Sequence, residues 1–203
     1  MDDESFSTVA KARLRQAGIT LQAQVKILGG FVLLFWLLEG IDWLLGGALD
    51  YFGVIPRTAV GLRGILFGPF LHGNFAHLAA NTVPFLILGW LVLLSGVQVF
   101  WWVTGITAVI SGLGIWLFGA TNSIHLGASG LIFGYFGFLL LRGFFERSLG
   151  AILGSLLVGI AYGGILWGVL PLEAGVSWQA HLFGFIGGCL AAYWLRKPVT
   201  SNQ

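Results

Sequence analysis

The sequence predicts an all-α membrane protein: a six-transmembrane-helix bundle with both termini in the cytoplasm. Of its 203 residues, 57% are hydrophobic and only 9% are charged, whereas soluble domains carry about 25% charged residues. Six apolar stretches each approach the length of about 20 residues that a helix needs to cross a bilayer. Basic residues are also divided unevenly between the two sides of the predicted bundle. A soluble core of this size could not bury so much apolar surface.

The predicted spans divide the chain into three regions. They are residues 27–46, 76–95, 97–118, 128–142, 148–169 and 178–195. We expect a cytoplasmic N-terminal tail at 1–24 that is partly helical on the surface, a six-helix membrane domain at 25–197 and a short C-terminal tail at 198–203. The N-terminal tail lacks the features of a secretory signal. The connection 47–75 is the longest, and we expect it to form a structured lobe on the outer surface.

Basic residues orient the predicted bundle. With the N-terminus inside, the inner segments contain Lys11, Arg13, Arg15, Lys26, Arg142, Arg147, Arg196 and Lys197, and the outer segments contain Arg57 and Arg63. An excess of basic residues on the cytoplasmic side is the usual pattern for membrane proteins. The even number of spans then puts both termini in the cytoplasm.

Polar residues collect in the outer half of this topology. The four histidines there are His72, His77, His125 and His181. The fourth span, 128–142, begins next to Ser129 and would rise only about 22 Å, which is less than the roughly 30 Å hydrocarbon core. We therefore expect the 119–127 loop to dip into the membrane. Irregular backbone at that depth must be shielded by protein or line a wet cavity, so Ser129 should be reachable by water.

Serine and histidine at the outer ends of two spans suggest a nucleophile and its base. A serine hydroxyl is a weak nucleophile until a base removes its proton. No carboxylate is suitably placed to form a triad, because Glu173 lies in an outer loop and Glu39 and Asp42 lie in or near the end of the first span. The sequence assigns no partner to either of those two carboxylates. A pairing with Arg63 is only a guess. The hypothesis is therefore a Ser129–His181 dyad.

Glycine spacing offers a way to bring the pair together. Gly130, Gly134 and Gly137 share one face of the fourth span, and Gly184 and Gly188 share a face with His181 in the sixth. Small residues at such spacing let two helix backbones approach closely. Glycines used only for packing would give the same pattern, and the two interpretations are compatible.

An acyl-transfer site also needs donors for the developing oxyanion. The Ser129 backbone N–H is at a helix start, where such groups lack intrahelical partners. His77 and Asn81 are four residues apart and share a helical face. Their side chains could donate to the oxyanion, although a structural hydrogen-bonding role explains this spacing equally well. Phe133, one turn below Ser129, could pack on the His181 ring, or could simply fill space.

The ordered motifs resemble those of the rhomboid family of intramembrane serine proteases. They are His72-Gly73-Asn74-Phe75-Ala76-His77-Leu78-Ala79-Ala80-Asn81, Gly127-Ala128-Ser129-Gly130, and His181-Leu182-Phe183-Gly184 continuing to Gly188. Any one motif is weak, but their order, spacing and six-helix setting are specific. The family often has tyrosine at the position of Phe133, so the stacking surface is kept and the hydroxyl is lost.

The resemblance implies a six-helix bundle of the rhomboid type with a defined set of site residues. Ser129 would be the nucleophile and His181 the general base. Asn81, His77 and the Ser129 backbone N–H would stabilise the oxyanion. The supporting residues would be Phe133, Gly127, Gly130, Gly184, Gly188 and His72.

The resemblance also implies the partners and the location. Substrates would be membrane-anchored proteins cut in or next to a transmembrane segment, reached laterally through the lipid bilayer near the second and fifth spans. No metal or other cofactor would be needed. The minimal architecture suggests a multi-pass protein of the bacterial inner membrane, and the sequence does not decide its oligomeric state.

Two other functional classes fit parts of the sequence. A catalytically inactive rhomboid-like protein could bind membrane-protein clients, although such a protein would be expected to lose the serine or the histidine. A metal-binding or transport protein could use the histidines, but His72 and His77 are five residues apart and have no acidic or cysteine partner nearby. The net charge of +2 gives no reason to expect a nucleic-acid partner. The single Cys189 excludes an internal disulfide.

Overall fold

The computed structural model describes residues 3–171 and 175–196. Within these ranges the chain forms helices joined by turns and loops. The α-helices are α1 (Asp3–Leu44), α2 (Gly64–Phe67), α3 (Phe75–Leu93), α4 (Val97–Phe118), α5 (Ser129–Glu146), α6 (Leu149–Tyr162) and α7 (Trp178–Trp194). A 3-10 turn, Gly163–Val169, directly follows α6. The described residues contain no β-strand, only an isolated bridge between Val54 and His125. The prediction of an all-α protein is confirmed.

Several of these helices are suited to a membrane. Five stretches are long and apolar enough to cross one: Thr20–Leu44, Phe75–Leu93, Val97–Phe118, Ser129–Glu146 and Leu149–Val169. The helix at the predicted sixth span, α7, has 17 residues, which gives a rise of about 26 Å. The prediction of a multi-pass helical membrane protein is confirmed.

The first helix extends beyond the predicted span. α1 continues without a break through residues 24 and 25, where we expected the tail to meet the membrane domain. Gln24 is buried, and its Oε1 accepts a hydrogen bond from Trp90 Nε1 at 3.0 Å. The apolar part of the helix therefore already packs against α3 at this residue. The predicted C-terminal tail, 198–203, and Glu173 lie outside the described residues.

The fourth span is also longer than predicted. α5 runs for 18 residues to Glu146, a rise of about 27 Å, and does not end at Arg142. The Arg142 guanidinium pairs with the Glu146 carboxylate one turn later at 2.8 Å. This i,i+4 ion pair lets the helix continue past the first charged residue.

The 47–75 connection is folded rather than extended. It contains α2 and three 3-10 turns, Asp50–Phe52, Val60–Arg63 and Gly68–Phe70. Asp42 accepts a hydrogen bond from the Leu49 N–H at 2.6 Å. Arg57 Nη1 donates to Gly119 O at 2.9 Å, which joins this connection to the end of α4.

The guess that Arg63 pairs with Glu39 or Asp42 is wrong. Arg63 donates to the backbone oxygen of Tyr51 at 2.9 Å, and its guanidinium lies 4.3 Å from the centre of the Phe52 ring. An arginine can satisfy its donors with backbone carbonyls and an aromatic face, so charge alone did not identify its partner.

Helix α5 is at the centre of the bundle. It packs against α3, α4, α6 and α7, and most of its side chains are buried. Gly184 and Gly188 of α7 lie against the backbone of Gly130 and Gly134, so a Cβ at either α7 position would collide with a carbonyl oxygen of α5. This close approach sets the first turns of α5 and α7 side by side.

Candidate active site

The two residues of the predicted dyad lie at the starts of adjacent helices. Ser129 is the first residue of α5, and His181 is in the first turn of α7. Ser177 is the N-cap of α7, and its hydroxyl accepts a hydrogen bond from the Ala180 N–H at 3.4 Å. Its backbone oxygen accepts from the His181 N–H at 3.3 Å. The position of the histidine is thus tied directly to that of the cap.

One cavity of about 800 Å³ joins these residues. Its walls come from α3, α5, α7, the 3-10 turn after α6 and the loops between them. The predicted site residues that line it are Ser129, His181, His77, Asn81 and Phe133. The structure therefore brings Ser129, His181, His77 and Asn81 to the lining of one cavity at an end of the bundle. Among the described residues, Ser129 and His181 share this cavity but no hydrogen bond joins them.

The His181 ring is held on two sides. Its Nδ1 lies 2.7 Å from the backbone oxygen of Gly168. A carbonyl oxygen only accepts hydrogen bonds, so Nδ1 carries the hydrogen and Nε2 of the neutral ring carries the lone pair. The ring is stacked on Phe133 with centroids 4.1 Å apart and planes 5° apart. The tautomer and the orientation of the ring are thereby fixed.

Gly168 can approach the histidine because it has no side chain. A Cβ there would lie 2.9 Å from Phe133 Cζ and 3.1 Å from His181 Nδ1. Sequence reasoning missed this residue, since a backbone carbonyl has no side-chain signature. The Gly168 carbonyl accepts a hydrogen bond from His181 Nδ1, as the aspartate of a Ser-His-Asp triad does from its histidine.

His77 and Asn81 stand on α3 beside the residues that precede Ser129. Asn74 caps α3, and its Oδ1 accepts from the His77 N–H at 2.8 Å. Gly127 has φ +120° and lies so close that a Cβ would be 2.7 Å from His77 Cε1. Asn81 is 7% exposed, and its Nδ2 has no hydrogen-bond partner in the described part of the chain. Asn81 therefore offers a free donor in the wall of the cavity.

His72 supports the segment that leads into Ser129. It is 2% exposed, and its Nε2 accepts from the Ala128 N–H at 3.4 Å. Its ring packs against Phe35 and His77, with centroids 5.5 and 5.2 Å apart. Burial, with a smaller contribution from nearby His77, lowers the pKa of His72 to about 4. The ring is thus neutral near pH 7 and can accept this hydrogen bond.

Two further titratable groups line the cavity without a predicted role. Asp50 is one, and burial followed by the nearby Asp42 carboxylate raises its pKa. The other is His125, which contacts Ser177 and whose pKa is lowered by burial. Sequence reasoning placed His125 in the 119–127 loop but had no signal for its contacts, because Ser177 is 52 residues away.

The clustered histidines do not form a recognisable metal site. Among the described residues, no three or more His, Cys, Asp or Glu side chains are grouped so that they could hold a metal ion. His72 and His77 instead meet edge to face.

Helices apolar and long enough to span a bilayer surround this cavity, which is the architecture of a polytopic membrane protein. Residues 59–198 match the family model described as the Rhomboid domain. The chain belongs to the rhomboid family, and the family prediction made from the three motifs is confirmed.

Three relatives illustrate this membership. An uncharacterized protein of Mycobacterium tuberculosis is 47% identical over 176 residues, which cover 83% of this chain and 73% of the relative. An uncharacterized protein of Mycobacterium leprae is 44% identical over 176 residues, covering 83% and 70% of the two chains. The Bacillus subtilis protein YdcA, whose name gives it as a candidate rhomboid protease, is 30% identical over 125 residues, covering 61% and 62%.

Proposed function

We propose that this chain is an intramembrane serine endopeptidase that cuts membrane-anchored proteins in or next to a transmembrane segment. Ser129 is the nucleophile and His181 is the general base. Membership of the rhomboid family and the shared cavity support this function. No metal or other cofactor enters the chemistry.

The observation that carries the proposal is the hydrogen bond between His181 Nδ1 and Gly168 O. It leaves the Nε2 lone pair as the basic site of the neutral ring. In the reaction Nε2 takes the proton of the Ser129 hydroxyl as its oxygen attacks the substrate carbonyl, and then gives it to the leaving amine. The Gly168 carbonyl holds the ring through both steps, so a dyad can work without a carboxylate.

The oxyanion is stabilised by donors from α3 and α5. The unpartnered Asn81 Nδ2 supplies one hydrogen bond, and the His77 ring beside Gly127 supplies another. The Ser129 N–H at the start of α5 supplies the third. Each such donor is worth about 3–4 kcal/mol of barrier in serine proteases. An amide left unpaired in the resting protein costs little rearrangement when the oxyanion forms.

The proposed topology has six spans with both termini in the cytoplasm. Helix α7 is the sixth span, since it packs against α4 and α5 in the centre of the bundle. The excess of basic residues in the inner segments supports this orientation. The cavity then opens toward the outer face of a bacterial inner membrane, and substrates reach it through the bilayer near α3 and α6.

A reconstituted cleavage assay tests the function. The protein is placed in lipid vesicles with a fluorescent single-span substrate, and wild type is compared with Ser129→Ala and His181→Ala. We expect each variant to lose at least about 1000-fold in kcat/KM. Ser95→Ala is the matched control, because Ser95 lies in the turn between α3 and α4 and does not line the cavity.

Labelling of Ser129 by a fluorophosphonate gives a second readout that needs no protein substrate. It should require both Ser129 and His181. Equal cleavage by wild type and both variants would reject the dyad. A folded wild type that neither cleaves nor labels would instead support the inactive, client-binding alternative.

A further inference from the structure

His125 is fixed to the 47–75 connection through its backbone. Its N–H donates to Val54 O at 2.9 Å, and its own carbonyl accepts from the Val54 N–H at 2.8 Å. Gly53 packs against the same carbonyl, where a Cβ would be only 2.7 Å from the oxygen. His125 is four residues before Ser129, so this bridge anchors the segment that carries the serine.

The side chain of His125 makes two short hydrogen bonds. Nε2 lies 2.8 Å from Ser123 Oγ, and Nδ1 lies 2.7 Å from Ser177 Oγ. Ser123 already donates its one hydrogen to Ala120 O at 2.6 Å, so it accepts from His125 Nε2–H. In a neutral ring Nδ1 is then the acceptor, and the Ser177 hydroxyl donates to it.

The Ser177 hydroxyl completes the chain of bonds. While donating to His125, it accepts from the Ala180 N–H as the cap of α7. The Ser177 carbonyl accepts from the His181 N–H. When His125 is neutral, each hydrogen bond in this network pairs one donor with one acceptor. Burial lowers the pKa of His125 and so favours the neutral state.

We propose that His125 is a positioning residue for the Ser129–His181 pair. Its ring joins the segment that ends at Ser129 to the capping serine of the helix that carries His181. This inference rests on the proposed function. Displacing a reacting group by about 1 Å can cost about 100-fold in rate, so a link between the two helix starts should act on kcat rather than on substrate binding.

Two conservative variants separate the two ring contacts. The amide of His125→Asn can reach the position of Nδ1 and accept from Ser177. The amide of His125→Gln reaches the position of Nε2 and keeps the contact to Ser123. We expect His125→Asn to stay within about threefold of the wild-type kcat and His125→Gln to lose about tenfold or more, with KM nearly unchanged in both.

Substitutions of Ser177 give a pH signature that leaves His125 in place. Ser177→Asp can still cap α7, but its carboxylate cannot donate a hydrogen bond. While Ser123 accepts from Nε2–H, that carboxylate can accept from Nδ1 only when the His125 ring is protonated. The ratio of kcat in Ser177→Asp to kcat in Ser177→Ala should therefore rise as the pH falls. The other titratable groups that line the cavity are Asp50, His77 and His181, and both variants contain them. A carboxylate at position 177 favours the protonated form of His181, which would lower the ratio as the pH falls, so a rise in the ratio cannot come from that group.

Ser148→Ala is the control for losing a helix cap. Ser148 caps α6 by accepting from the Ala151 N–H at 3.3 Å, as Ser177 does for α7, but it does not line the cavity. Its kcat should match wild type.

The outcomes are distinguishable. An active wild type together with a folded His125→Gln of unchanged kcat overturns the inference alone, and so does a Ser177→Asp to Ser177→Ala ratio that does not change with pH. If His125→Gln does not fold, the Ser177 pair decides. A wild type that neither cleaves nor labels overturns the proposed function and this inference with it.

Discussion

The Nδ1 atom of His181 lies 2.7 Å from the carbonyl oxygen of Gly168. These residues belong to different segments, since Gly168 is in the 3-10 turn after α6 and His181 is in the first turn of α7. A backbone group thus fixes which nitrogen of the ring carries the hydrogen.

Gly168→Ala should lower kcat by about tenfold or more. The added Cβ would lie 2.9 Å from Phe133 Cζ and 3.1 Å from His181 Nδ1, so the stacked rings or the turn must shift. Gly164→Ala is the matched control, because a Cβ at Gly164 in the same turn meets nothing within 4 Å. Cleavage kinetics of both variants in vesicles test this, and equal loss in both would contradict it.

Gly127→Ala should reduce cleavage more than its backbone strain explains. Gly127 has φ +120°, so alanine is strained there, and its Cβ would also press on the His77 ring. Gly96 has φ +123° with open space around it, and Gly96→Ala therefore imposes similar strain without that contact. Thermal unfolding and cleavage are measured for both variants. We expect comparable destabilisation but a large loss of activity only for Gly127→Ala, and matching activities would exclude a role for the Gly127–His77 contact.

Asn81→Ala should lower activity without lowering stability. The loss of an oxyanion donor should lower kcat about 100- to 1000-fold with little change in KM. The same substitution removes a buried Nδ2 that has no partner among the described residues, and an unpaired buried donor costs about 1–3 kcal/mol. The melting temperature should therefore hold or rise. Cleavage kinetics and thermal unfolding in detergent check both halves, and a strong loss of stability would indicate a structural hydrogen bond instead.

His72 should make the protein less stable in acid. Its pKa in the folded protein is about 4, below the ordinary value of 6.5. Between these values the unfolded chain binds a proton that the folded protein does not, so the free energy of unfolding falls as the pH falls, by at most about 1.4 kcal/mol per pH unit for one group. His125 shifts stability in the same direction.

Unfolding of wild type and His72→Gln at about pH 7.5 and about pH 5 tests this linkage. Glutamine keeps an acceptor for the Ala128 N–H but does not titrate. Its stability should therefore depend less on pH than that of wild type. The same pH dependence in both proteins would show that His72 does not contribute.

Hydropathy was enough to predict the helical membrane class, and the third span was predicted with the observed bounds of Val97–Phe118. Hydropathy did not give the helix ends where charge and helix coexist. α1 begins in the polar segment that we expected to be partly helical, and α5 continues past Arg142 through its pair with Glu146. Hydropathy measures affinity for lipid, and both segments show that a backbone can stay helical beyond the apolar stretch.

The motifs gave the residues that share the cavity but not the contacts that hold them. Side-chain chemistry and spacing drew attention to Ser129, His181 and Asn81. The Gly168 carbonyl is a backbone atom, and the Ser177 contact of His125 spans 52 positions, so neither leaves a pattern in the chain. Such long-range contacts depend on how the helices pack.

The exposure of α6 bears on the proposed role of His181. Within Leu149–Tyr162, Val158 is the one buried residue, so in a bilayer most of this helix is free to contact lipid tails. The 3-10 turn that contains Gly168 follows α6 directly. If the proposed function holds, a membrane thickness that tilts α6 would move the oxygen that receives the Nδ1 hydrogen, and acyl-chain length would then act on the reactivity of the histidine.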